Sequence, residues 1–207
     1  MNEKEKTVVV IIDDNLKTDD PLIVELNLIF SDVKLFEHSE DGLNYVKNNL
    51  IKRMVVVLDI NFSPSEINGH EVLELIRKDS KLIPVIIWSA KDFSTGEDFT
   101  DFINNQAMFY VKQTSSTEEI LGKIKEANRL LKLDVATAIE EWLEEQENKD
   151  QILLLHGNGE QYSANDLINE IRKQTLVGQE IEENMLKLTI DLLFRASVFP
   201  SRVMPRY

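Results

Sequence analysis

The chain has 207 residues, 43% of them apolar and 29% charged, with only 7 Gly and 5 Pro, which is a globular composition. It contains no cysteine, which excludes a disulfide scaffold, a thiol nucleophile and a zinc site built on thiolates. The net charge of −14 opposes binding to a phosphate backbone, and the polar opening MNEKEK lacks the apolar stretch of a signal peptide, so a cytoplasmic protein without membrane contact is expected.

The first two-thirds alternate between short β-branched runs and helical patterns. Residues 7–12 (TVVVII) are almost wholly apolar, as in a strand covered on both faces. Residues 33–36, 54–58 (MVVVL), 83–88 (IPVIIW) and 108–111 (MFYV) read as four more strands. Helix starts lie between them. Asp20-Pro21 is an N-cap followed by Pro at the first helical position, opening a helix over 22–30. Ser39 is expected to cap a helix to about 50, and Asn68 one over 71–78. A short helix over 95–104 follows Ser94 or Thr95, and Ser116-Thr117-Glu118-Glu119 is a capping box for a helix over 120–131. Strict βα alternation predicts a doubly wound five-stranded parallel sheet.

The pattern changes after 133. Residues 134–150 read as an acidic helical linker with a solvated acidic face over 140–147. Residues 151–207 read as a small, mostly helical module. It opens with a strand over 151–156, a Gly157-Asn158-Gly159 turn and a short return over 160–162. Ser163-Ala164-Asn165-Asp166 caps a helix to about 173, Gly178 suggests a stop, and an amphipathic helix follows over 181–196. Residues 1–133 carry 16 basic and 23 acidic residues, net −7, and residues 134–207 carry 7 and 14, again net −7. A DNA-reading tail would concentrate positive charge.

Ligands of an open α/β sheet bind beyond the carboxyl ends of its strands. Asp13-Asp14 follow the first strand, Asp59 the third, Ser89 the fourth and Lys112 the fifth. Three crowded carboxylates repel and take up protons unless a cation joins them, and hard oxygen ligands suit Mg²⁺. A carboxylate there can attack a phosphoryl group to give an acyl phosphate, while a lysine and a hydroxyl stabilise the transferring oxygens.

Asp13-Asp14 in VVVIIDDN, Asp59 in MVVVLDIN, Gly69 in NGHEVLELIRK, Ser89-Ala90 in PVIIWSAKD and Lys112 in FYVKQ together resemble the receiver domain of two-component response regulators. The resemblance covers roughly 5–132. It implies a flavodoxin-like (βα)5 fold with strand order 2-1-3-4-5. It implies Asp59 as phospho-acceptor, with Mg²⁺ held by Asp13, Asp14, Asp59 and the backbone carbonyl of Asn61. It also implies that Ser89 and Lys112 contact the phosphoryl group and that Ser89 and Phe109 act as the switch.

The chain departs from that family in four places, one of them Ser89, which keeps the hydroxyl of the commoner threonine. Pro64 and Gly69 stand five and ten residues after Asp59, where the family has four and eight, so the 61–68 segment is longer by about two. Gln113 replaces the proline that follows the family's lysine through a cis bond; a cis non-proline bond costs roughly 3–4 kcal/mol, so both geometries stay open. Phe109 stands where a tyrosine is common. Asn61 and Lys91 occupy positions that tune acyl-phosphate lifetime in the family.

The expected function is a response regulator of a two-component phosphorelay, a signalling switch and not an enzyme with a separate substrate. Its expected partners are a histidine kinase or phosphotransfer protein and a downstream protein. A homodimer through 95–148 or through the C-terminal helices is a further candidate. The alternatives are a DNA-binding transcriptional regulator, which the acidic tail disfavours, and a degenerate receiver that binds without phosphorylation. A haloacid-dehalogenase-like phosphatase would need a second Asp two residues beyond its nucleophile, where Asn15 and Asn61 stand.

Overall fold

Alternation along the first strand explains the sheet. In β1 (Glu5–Ile12), Val8, Val10 and Ile12 lie in one apolar cluster, and Val9 and Ile11 in a second. β3 (Met54–Leu58) divides the same way, with Met54, Val56 and Leu58 against Val55 and Val57. Successive side chains of a strand point to opposite faces, so a run lacking polar residues is stable only where both faces are covered. This computed structural model describes residues 4–90, 106–157 and 159–198.

Helices provide the cover. Leu43 and Val46 of α2 (Ser39–Asn48) and Val72, Leu73 and Ile76 of α3 (Gly69–Asp79) complete the first cluster. Leu22, Ile23 and Leu26 of α1 (Pro21–Ile29), with Ile120 and Ile124 of α4 (Thr117–Leu133), complete the second. β2 (Phe30–Phe36), β4 (Val85–Ser89) and β5 (Phe109–Lys112) finish a five-stranded parallel sheet in the order β2-β1-β3-β4-β5. The chain steps outward in opposite directions from β1, which opens a crevice at the carboxyl ends of β1 and β3.

The caps at Asp20, Asn68 and Ser116 form as the sequence predicts, each side chain accepting a backbone N–H of the first turn. α2 differs. His38 is its N-cap, and Ser39 lies inside the helix with its N–H donated to Glu66 Oε2 at 2.8 Å. A glutamate of the longer segment after β3 thus does the work expected of Ser39. The peptide bond between Lys112 and Gln113 is trans. The helix expected over 95–104, and Lys91, lie outside the described residues.

The chain divides into two compact units, Met1–Thr137 and Ala138–Tyr207, and the division falls inside α5 (Val135–Glu144). In the second unit β6 (Ile152–Leu155) pairs antiparallel with β7 (Gln161–Ser163), and the Ser163–Asp166 capping box opens α6 (Ala164–Lys173). Two expectations are corrected here. Gly178 does not stop a helix but lies within α7 (Leu176–Val198), where an added Cβ would stand 2.3 Å from the carbonyl oxygen of Glu170. The acidic face of α5 is not fully solvated either. Glu140 is only 8% exposed, and Arg172 of α6 donates from Nε to Glu140 at 2.5 Å and from its terminal nitrogen to Glu144 at 2.9 Å.

Among the described residues, no helix is long and apolar enough to cross a membrane.

Candidate acidic site at the strand ends

Strand register brings the acidic residues together. Ile12 is paired with Leu58, so Asp13 and Asp59 leave the sheet at the same level. Asp59 donates its N–H to the carbonyl of Ile12 at 2.9 Å, and Asp13 donates to Phe36 at 3.0 Å. Leu58 is paired with Ile87, and Ser89 with Lys112, which sets the ends of β4 and β5 beside the same crevice.

Asp13 and Asp59 are 1% and 3% exposed, and Asp14 is half-buried. One carboxylate oxygen from each of the three lies within 4.8 Å of the others. Asp13 Oδ1 accepts the N–H groups of Asn15 at 2.8 Å and Leu16 at 3.0 Å. Its Oδ2 accepts from Gln113 Nε2 at 3.2 Å. Asp59 Oδ1 accepts from the N–H of Ile60 at 2.6 Å and of Asn61 at 3.3 Å.

Burial pushes the Asp59 carboxyl up from its ordinary 3.8 to about 6. The charges of Asp13 and Asp14 push the same way, against the two backbone N–H groups. Burial also raises Asp13, with Asp14 and Asp20 adding to it. Such a cluster is under-neutralised. Its donor set, three hard carboxylates at a crevice mouth, fits a divalent cation of the Mg²⁺ type.

Ser89 is fully buried, and its Oγ accepts from Asn61 Nδ2 at 3.1 Å. Asn61 therefore bridges the segment after Asp59 to the end of β4. Lys112 is exposed at the end of β5. Phe109, three residues earlier, packs on the second apolar cluster with the Lys123 ammonium 4.5 Å from its ring centroid. Of the histidines, His38 pairs with Glu66 and His156 with Glu180.

Two contributions were not legible in the motifs. The first is the reach of Gln113 to Asp13. Gln113 N–H donates to the Ser89 carbonyl at 3.0 Å, so pairing continues one residue past Lys112. A polar residue directly after a site lysine was the available signal. The second is the reason for Gly69, whose missing Cβ would lie 2.2 Å from the carbonyl oxygen of Asp59.

No protein-family model matches the chain, and no curated protein does. Solved structures do match, and response-regulator receiver domains are among them. A receiver domain protein from Methanospirillum hungatei JF-1 is 20% identical at a TM-score of 0.54, covering 62% of this chain and 98% of its own. The signal receiver domain of a modulated diguanylate cyclase from Desulfovibrio desulfuricans G20 is 18% identical at 0.51, covering 62% and 98%. A DNA-binding response regulator of the LuxR family from Staphylococcus aureus is 26% identical at 0.50, covering 59% and 98%. The part of the chain that carries the acidic site therefore has the receiver fold, and the C-terminal module is unassigned.

Proposed function

We propose that this chain is a response regulator of a two-component phosphorelay, with Asp59 as its phospho-acceptor. The observation that carries this reading is the meeting of Asp13, Asp14 and Asp59 at the switch point of a β2-β1-β3-β4-β5 sheet, with Ser89 and Lys112 paired at the neighbouring strand ends. The donor is a histidine kinase, a phosphotransfer protein or a small acyl phosphate. A carboxylate oxygen of Asp59 attacks phosphorus, and the bond from phosphorus to the donor breaks with its electron pair leaving on the donor.

Asp13, Asp14, Asp59 and the backbone carbonyl of Asn61 are the proposed Mg²⁺ holders, and the ion, when bound, neutralises charge on the transferring oxygens. Ser89 supplies a hydroxyl to a phosphoryl oxygen once its bond from Asn61 is exchanged. Lys112 supplies a positive charge at the same crevice. Phe109 repacks as Ser89 moves inward. The protein is a switch, with no separate substrate.

The output is a protein-binding or dimerising function of residues 138–207. Chain continuity supports a conduit, because Asp134 alone separates α4 from α5 and accepts the Thr137 N–H and hydroxyl at 2.9 and 2.7 Å. Phosphorylation is then expected to change amide exchange over 109–148, and unchanged exchange there would sink the conduit.

Borohydride reduction tests the acceptor. After acetyl phosphate and Mg²⁺, an aspartyl phosphate is reduced to homoserine. Peptide sequencing is expected to find homoserine at position 59, and homoserine at another aspartate would overturn the assignment.

A further inference from the structure

Asp13 is held on both oxygens, but in different ways. Its Oδ1 takes two backbone N–H groups of its own loop, from Asn15 and Leu16. Its Oδ2 takes one side-chain donor from 100 residues away, Gln113 Nε2, at 3.2 Å. The backbone of Gln113 is pinned by its N–H to the Ser89 carbonyl, so the amide is presented from a fixed point at the end of β5. Oδ1 is committed to the loop, which leaves Oδ2 as the oxygen that Asp13 can turn toward a cation.

From this arrangement we infer that Gln113 is a positioning residue for the cation site, orienting Asp13 Oδ2 through its side-chain amide. The inference rests on the proposed reading of the acidic cluster as a cation site. A lysine at 113 would place a second ammonium beside Lys112 and compete with the cation. A proline would offer no donor. The neutral amide orients the carboxylate and leaves its charge for the ion. Hydrogen bonds to ligating carboxylates fix their lone-pair direction, and removing such a partner typically weakens metal binding by about 10–100-fold.

The test is Mg²⁺ binding by calorimetry on the full chain, with the thermal midpoint in EDTA measured alongside. Gln113→Met keeps the side-chain length and removes the donor; Gln113→Ala removes both. Both variants are expected to bind Mg²⁺ about tenfold more weakly than the parent, with their cation-free midpoints unchanged. If the parent binds Mg²⁺ and Gln113→Met binds as tightly or more tightly, the positioning role is overturned and the acidic-site reading stands. A drop of both affinity and cation-free midpoint in both variants reassigns Gln113 to fold support and also overturns the role. A parent that does not bind Mg²⁺ removes the acidic-site reading and this inference together.

Discussion

Gly69 lies so close to Asp59 that a Cβ on it would stand 2.2 Å from the Asp59 carbonyl oxygen and 2.7 Å from Ile60 Cα. The N–H of Gly69 also donates to the Ile60 carbonyl at 3.1 Å. The first residue of α3 is thus pressed against the backbone of the proposed acceptor, which fixes where that carboxylate leaves β3. Gly69→Ala is expected to destabilise the chain by about 1–3 kcal/mol, because backbone and not a flexible side chain must yield. Gly122, in the interior of α4, has nothing within 4 Å of its would-be Cβ. Gly122→Ala is expected to stabilise by about 0.5–1 kcal/mol. Urea unfolding of both variants checks the contrast, and equal effects would contradict it.

The raised Asp59 carboxyl makes a pH prediction of definite sign. Its folded value, about 6, lies above the ordinary 3.8, so the folded state holds this proton more tightly. Without a divalent cation, the contribution of Asp59 to stability falls as pH rises from about 4 to about 6 and is level above that window. Other carboxyls, such as Glu5 and Asp166, are lowered and slope the opposite way. The readout is therefore the difference in thermal midpoint between the parent and Asp59→Asn across pH 4–7. The parent is expected to lose ground to the variant over that window, and to regain it when Mg²⁺ is added. A parent that gains ground without cation would contradict the account.

In the second unit, Arg172 holds Glu140 and Glu144 together on one face of α5. Burial raises the Glu140 carboxyl, and the Arg172 charge and hydrogen bond oppose that rise. Removing the arginine takes the cation from buried Glu140, while Glu144 keeps its ion pair with Lys149. Arg172→Met is expected to destabilise by about 3–5 kcal/mol, the usual consequence of breaking a buried pair. Adding Glu140→Gln is expected to recover part of that loss. Equilibrium urea unfolding followed by far-UV circular dichroism measures both, and a neutral Arg172→Met would show the pair to be dispensable.

Glu66 ties the lengthened segment after β3 to the start of α2, through the Ser39 N–H and His38 Nδ1 at 3.1 Å. The hydrogen bond and charge of Glu66 raise the His38 imidazole, and the stability this gives is present at low pH and lost as pH rises through the raised value. In NMR titrations, Glu66→Gln is expected to lower the His38 value towards the ordinary 6.5, and an unchanged titration would refute the tie.

The five strands and the caps at Asp20, Asn68, Ser116 and Ser163 were legible because each has a local signature: apolar runs, a Pro at a helix start, a polar side chain two or three residues ahead of the N–H it accepts; the strand order came only with the family resemblance. The proposed site was legible as five polar residues directly after strands. What stayed hidden depends on contacts distant in sequence. Ser39 has the composition of a cap, but Glu66, 27 residues on, takes its N–H. Gly178 has the look of a helix stop, yet it marks the contact of α7 with Glu170. Glu140 reads as solvated until Arg172, 32 residues later, covers it. Gln113 meets Asp13 across 100 residues, a contact no local pattern encodes.

The most direct test of the central claim is the intact mass of the full chain after incubation with acetyl phosphate and Mg²⁺, beside Asp59→Ala treated identically. The account predicts a gain of one phosphoryl group in the parent and none in the variant. An equal gain in both, or no gain in a parent that binds Mg²⁺ and beryllofluoride, would contradict it.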